Sequence, residues 1–132
     1  MRQFFALTTC VVLAGLAVLQ VCVALGAPWG RYVWGGQHEV LPMGLRIGSG
    51  VSILLYGVFA LVYLENAGVV RRFGWLRKRT ALWVVTLYMT TGVALNAISR
   101  SADERMVMVP VALTLAACGF AILFGRDPIP KR

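Results

Sequence analysis

The side chains in this 132-residue sequence best equipped for chemistry are two adjacent pairs, His38-Glu39 and Asp103-Glu104. Imidazole and carboxylate groups together can hold zinc, and a histidine beside a carboxylate can accept a proton. The spacing supports neither role. The chain has a single histidine, no second ligand pair at a fixed interval, and no nucleophile placed beside His38. Adjacent residues of an extended segment also point to opposite faces, which parts His38 from Glu39. Cys10, Cys22 and Cys118 stand singly in apolar surroundings. Such a set is neither a disulfide framework nor a metal site, and it reads as small apolar side chains. The sequence carries no cofactor motif, and an enzyme ranks last among the function classes.

Gln20 and Asn96 each interrupt an otherwise apolar stretch, about one helical turn below the same surface of the molecule. A polar amide left unpaired at that depth costs about 1–3 kcal/mol, so each needs a partner. The economical expectation is a polar cluster in which Gln20, Asn96 and the neighbouring loops satisfy one another. Two readings of it stand. It is a structural network, or it is a shallow ligand-binding site with Arg31, His38, Glu39, Arg46, Arg100 and Glu104 around its rim.

Glu65 is the acidic residue that abuts the end of an apolar run on the more basic side. Proton-coupled small multidrug transporters, also four-helix proteins of about this size, depend on a glutamate within their first helix, and the first run here has none. A surface ion pair of Glu65 with Arg71 or Arg72, worth about 0–1 kcal/mol, is the expected arrangement. Four-helix quinone-linked thiol oxidoreductases need paired cysteines, which are also missing.

Four apolar runs must position these residues, over about 4–25, 47–64, 81–98 and 106–124. Only 14% of residues are charged and 59% are hydrophobic, against about 25% charged in soluble domains. A helix needs about 20 residues to cross the hydrocarbon of a bilayer. The expected fold is therefore an all-α membrane protein, a single domain of four transmembrane helices in an up-down-up-down bundle. The first run competes with a signal-peptide reading, in which Arg2 precedes the apolar core and Ala24-Leu25-Gly26 is the cleavage site. Its length of some 20 residues favours a retained helix over a signal core of about 7–15.

Local signals mark the ends. Gly68 stops the second helix, Thr80 is placed to cap the third, and Ser101 with Glu104 forms a capping box for the fourth. Pro110 predicts a bend within it. Small residues let helices approach closely in lipid. Gly48, Gly50, Ser52 and Gly57 on the second helix, with Ala112, Ala116, Ala117 and Gly119 on the fourth, predict the tightest contact between those two.

The first connection is the least ordinary. Two β-prone runs flank Gly35-Gly36 over residues 31–40, a pattern that predicts a small hairpin across one end of the bundle. Trp29, Tyr32 and Trp34 there also fit an aromatic belt at the headgroups. The middle loop interleaves Phe73, Trp75 and Leu76 with Arg71, Arg72, Arg77, Lys78 and Arg79, which can bind anionic lipid headgroups at about 1 kcal/mol each. The net charge of +8 thus points to lipid and not to nucleic acid. With Arg2, the middle loop and Arg126, Lys131 and Arg132 on one side, and Arg31, Arg46, Arg100 and Arg105 on the other, basic residues divide nine to four. The positive-inside rule then places both termini in the cytoplasm of a cell whose plasma membrane the chain spans.

Ala27-Pro28-Trp29-Gly30 after a first span, Gly35-Gly36, and Leu41-Pro42 with Arg46 opening the second span carry a resemblance. Together with Asn96, Ser99, Ser101 and Glu104 ahead of Pro110, they resemble small four-helix bacterial membrane proteins of unassigned function. The resemblance covers most of the chain; it implies the topology and no activity. Two function classes follow. The first is a non-enzymatic accessory protein that uses a small-residue helix face to join a membrane-protein partner or a second copy. The second is binding or transport of a small polar or lipid-derived ligand at the polar cluster.

Overall fold

Glycine sets where the first two helices stop. Gly26 (φ +102°) and Gly68 (φ +76°) both take the left-handed conformation that other residues avoid. At each, two amides fold back on the last turn. Gly26 donates to the Val23 carbonyl (3.2 Å) and Ala27 to Cys22 (3.0 Å), while Gly68 donates to Glu65 (3.2 Å) and Val69 to Leu64 (3.0 Å). These are the paired bonds of a Schellman stop.

The computed structural model describes residues 1–125, so the tail charges Arg126, Lys131 and Arg132 lie outside the described residues. Four helices form: α1 (Arg2–Ala24), α2 (Met43–Asn66), α3 (Arg79–Ala97) and α4 (Ala102–Phe124). Each is long and apolar enough to cross a membrane. Even α3, at 19 residues, reaches about 29 Å.

The helices outrun the apolar runs at their starts. Pro42 occupies the N-cap of α2, where its missing amide is harmless, and helix begins at Met43. The cap of α3 is Lys78, without a side-chain bond, and not Thr80 as expected. Ser101 does cap α4, its hydroxyl accepting from the Glu104 amide at 3.2 Å. Helix α4 continues through Pro110, and the Thr114 hydroxyl donates to the Pro110 carbonyl at 2.8 Å.

α1 packs along α2 and α4, and α3 packs along α4, with a lighter contact between α2 and α3. α2 and α4 barely touch, which corrects the expectation that they meet most closely. The reason lies in where the glycines face. Gly48 receives the Trp34 ring, whose carbons lie 2.9 Å from where a Cβ would sit, and Gly50 and Gly57 face open space. Gly119 of α4 does permit close approach, mainly to α3. A Cβ there would lie 2.5 Å from the Thr86 hydroxyl and 2.9 Å from that of Tyr63.

One apolar core runs between the helices through Leu13, Val62, Tyr63, Leu82, Leu115 and Ile122. A smaller one at the other end joins Val23, Val33, Leu41 and Met108. Hydroxyls within the helices are satisfied by their own turns: Thr9 donates to Phe5, Ser52 to Gly48, Thr86 to Leu82 and Thr90 to Thr86. That arrangement suits a lipid surround, because no exposed donor is left in the spans by these groups.

The hairpin expected over residues 31–40 does not form, and no strand occurs among the described residues. Two 3-10 turns, Gly30–Tyr32 and Trp34–Gly36, take its place. Trp34 (φ +55°), Gly35 (+79°) and Gly36 (+68°) are successive left-handed residues, so the chain rolls up where an extended strand would be needed. One backbone bond, from the Gly30 amide to the Glu39 carbonyl (2.9 Å), closes the loop.

Candidate functional site

Polar side chains gather at the two ends of the bundle. At the cap end, the loop between α1 and α2 is tied across the start of α4. Glu104 sits in the first turn of α4, where the positive end of the helix dipole suits a carboxylate. It is buried, at 6% exposure. Its Oε2 accepts from the Gly35 amide (3.0 Å) and from the Ser99 hydroxyl. The glutamate therefore does not close the reciprocal arm of a capping box; it holds the loop. Ser101 completes the tie by donating to the Arg31 carbonyl at 2.5 Å. Opposite, the Trp34 indole donates to Ser49 at 3.2 Å, which anchors a residue in a strained backbone conformation.

The remaining expected site residues are dispersed around this tie. Arg46 donates from Nε to the Leu41 carbonyl (2.8 Å) and lies beside Gly26. Arg31, which is exposed, lies 3.8 Å from the half-buried Asp103 and 5.0 Å from the ring centre of the half-buried Tyr32. His38, Glu39 and Arg100 are exposed. Gln20 is buried, its amide within reach of the Tyr56 hydroxyl and its Oε1 without a partner. Asn96 donates to the Gly92 carbonyl of its own helix at 2.8 Å. Gln20 and Asn96 thus do not pair with each other; they lie on helices α1 and α3, which share no extended contact. No three His, Cys, Asp or Glu side chains converge as a metal-binding group among the described residues.

The arginine end is built differently. Glu65, in the last turn of α2, is not in a surface ion pair with Arg71 or Arg72 as expected. It is 1% exposed, and its Oε1 accepts the backbone amides of Arg72 and Phe73, both at 2.6 Å. Its Oε2 is buried with no partner. The loop folds over this carboxylate because Leu76 is drawn into the core and Asn66 donates to both the Val62 (2.8 Å) and Leu76 (2.9 Å) carbonyls. Arg71, Arg72, Arg77, Lys78 and Arg79 are left exposed on its surface, with Phe73 and Trp75 exposed beside them.

Two residues that sequence spacing did not single out join this end. Arg2 donates from Nε (3.0 Å) and Nη2 (2.8 Å) to the Ile122 carbonyl, tying the start of α1 to the last turn of α4. A cavity of about 320 Å³ opens next to it, lined by Arg2, Asn66, Arg77, Arg79, Leu82 and Leu123. Basic, amide and leucine residues thus share its lining. The signal in the sequence was the basic count alone; Arg2 and Asn66 come from helix ends more than sixty positions apart.

Together, the fold and its two polar ends define a small protein of four helices suited to lipid, in which the charged groups of the described residues lie in the loops and the terminal turns of the helices. No family model, curated protein or solved structure matches the chain.

Proposed function

We propose that this chain is a non-enzymatic accessory protein of the plasma membrane, which joins a membrane-protein partner, or a second copy of itself, through the outward face of α2. One observation carries the reading. A Cβ added at Gly50 or Gly57 would meet nothing within 4 Å, so the small-residue face of α2 is unused by the bundle itself. Ile47, Leu54 and Val58 on the same side are 63%, 72% and 44% exposed. In lipid, such a face gains by close helix packing, which glycines permit.

The accompanying topology is up-down-up-down with both termini cytoplasmic. The contact of Arg2 with the end of α4 supports it, as does the nine-to-four division of basic residues. The arginine-rich loop then meets anionic headgroups on the cytoplasmic side. Labelling a cysteine placed at Gly74 should fail with an impermeant reagent on intact cells and succeed after permeabilisation; the reverse order would invert the map.

The alternative, a ligand site at the cap end, has weaker support. Glu104 and Ser101 are already engaged with the loop, and Gln20 and Asn96 do not converge. The deciding experiment is purification of the tagged full chain from its own membranes in mild detergent. A partner or second copy should co-purify, and Gly50→Leu with Gly57→Leu should release it without lowering the stability of the chain. Recovery of monomer alone from the unaltered protein would end the accessory reading.

A further inference from the structure

We propose that the cavity at the arginine end is a binding site for the phosphate group of one anionic phospholipid. The cavity of about 320 Å³ lies where the start of α1, the end of α2, the start of α3 and the end of α4 come together. Its volume falls within the range of about 300–1,000 Å³ typical of small-molecule sites. Arg2, Arg77 and Arg79 line it with Asn66, and none of the described lining residues is acidic. Guanidinium is planar and presents paired N–H donors that match two phosphate oxygens at once.

Two walls are fixed before any ligand arrives. Arg2 is held by the Ile122 carbonyl, and Asn66 by the carbonyls of Val62 and Leu76. Less ordering is then required on binding. Leu82 and Leu123, 1% and 3% exposed, belong to the packed core and give the cavity a firm floor. The ends of membrane-length helices also place the cavity at headgroup depth, where basic pockets between helices take anionic lipids. This site is independent of the α2 face and of which side of the membrane the arginine end occupies.

The matched-charge comparison is what tests it. Arg71 and Arg72 lie in the same loop, are exposed, and do not line the cavity. The full chain, purified in detergent, is titrated with phosphatidylglycerol, phosphatidylcholine or glycerol 3-phosphate, and bound lipid is counted by native mass spectrometry. One phosphatidylglycerol per chain is expected, with no equivalent binding of phosphatidylcholine. Arg77→Gln with Arg79→Gln should weaken it about thirtyfold, taking about fivefold per basic group. Arg71→Gln with Arg72→Gln removes the same charge from the outer surface of the loop, where headgroup attraction is diffuse and screened, so at physiological salt it should weaken the one-to-one binding several-fold less than the cavity pair does.

Equal losses in the two double variants would mean diffuse attraction to the loop and would overturn the site. Equal binding of phosphatidylcholine would overturn it too, as would saturation by glycerol 3-phosphate at the concentrations at which the lipid binds. A thermal unfolding scan of each double variant confirms that losses arise in folded protein.

Discussion

Each end of this molecule is organised by a buried glutamate that accepts backbone amides from a neighbouring loop, yet the two glutamates sit in opposite electrostatic surroundings. Glu104 lies in the first turn of α4 and accepts from Gly35, a residue 69 positions away. Glu65 lies in the last turn of α2 and accepts from Arg72 and Phe73, only 7 and 8 positions on. The helix dipole favours a negative charge at the first position and opposes it at the second. Glu104 therefore joins distant parts of the fold with help from its helix. Glu65 shapes one local loop against its helix, and keeps a buried oxygen without a partner. The lesson is that the same residue type, equally hidden, acts as a tie across the fold at one end and as a latch on a loop at the other.

The largest effect should come from breaking the tie. Glu104→Ala removes two bonds to a charged acceptor and the dipole contribution, and is expected to destabilise the protein by about 3–4 kcal/mol. Thermal unfolding in detergent measures it, and amide exchange should rise through the whole loop of residues 30–39. Gly36→Ala attacks the same junction by sterics. A methyl there would collide with the Ser101 side chain, in a backbone conformation already unfavourable for alanine (φ +68°). A loss of about 2–3 kcal/mol follows. If Gly36→Ala is harmless, the loop is not seated against α4 in the way described.

Breaking the latch should cost less and act locally. Glu65→Ala frees the amides of Arg72 and Phe73, but both residues are exposed and water can replace the carboxylate. About 2 kcal/mol is expected, with exchange accelerated at those two amides and unchanged at Gly35. Glu65→Gln sharpens the contrast. It keeps an acceptor for the amides and removes a charge that the dipole opposes, so its cost should stay under about 1 kcal/mol. Glu104→Gln loses charge where the dipole favours it and should cost more than Glu65→Gln. The opposite ranking would mean that the dipole does not distinguish the two ends.

Much of this architecture could be read in advance, and what escaped has a common cause. Four apolar runs of bilayer length gave the helices, Gly68 marked one stop, and Ser101 marked the start of α4, because each is a local signal. Helix starts at Met43 and Arg79 were missed because the preceding turns carry glycine or charge and do not raise the hydropathy. The hairpin pattern misleads because β-prone residues around two glycines look alike whether the chain extends or coils. Burial of Val33 and Leu41 against α1 and α4, with Trp34 over Gly48, selects the coiled form, and such tertiary contacts leave no local period. Glycine spacing on α2 showed that a close approach was available without showing toward what. Sequence proximity points Glu65 to the charges of Arg71 and Arg72, whereas the fold gives it the backbone amides of Arg72 and Phe73.

The smallest effects separate backbone from charge at the cap end. Arg31 faces Asp103 at 3.8 Å with side chains 60% and 44% exposed, a pair worth about 0–1 kcal/mol and screened by salt. Its carbonyl is the firmer attachment, accepting from Ser101 at 2.5 Å. Arg31→Gln leaves that carbonyl in place and should cost less than about 1 kcal/mol, with the difference vanishing at high salt. Ser101→Ala removes both the cap on Glu104 and the bond to the loop, and should cost about 1–2 kcal/mol at any ionic strength. Unfolding of the two variants at low and high salt decides the matter. If Arg31→Gln proves the more damaging, charge and not the serine holds the loop to α4.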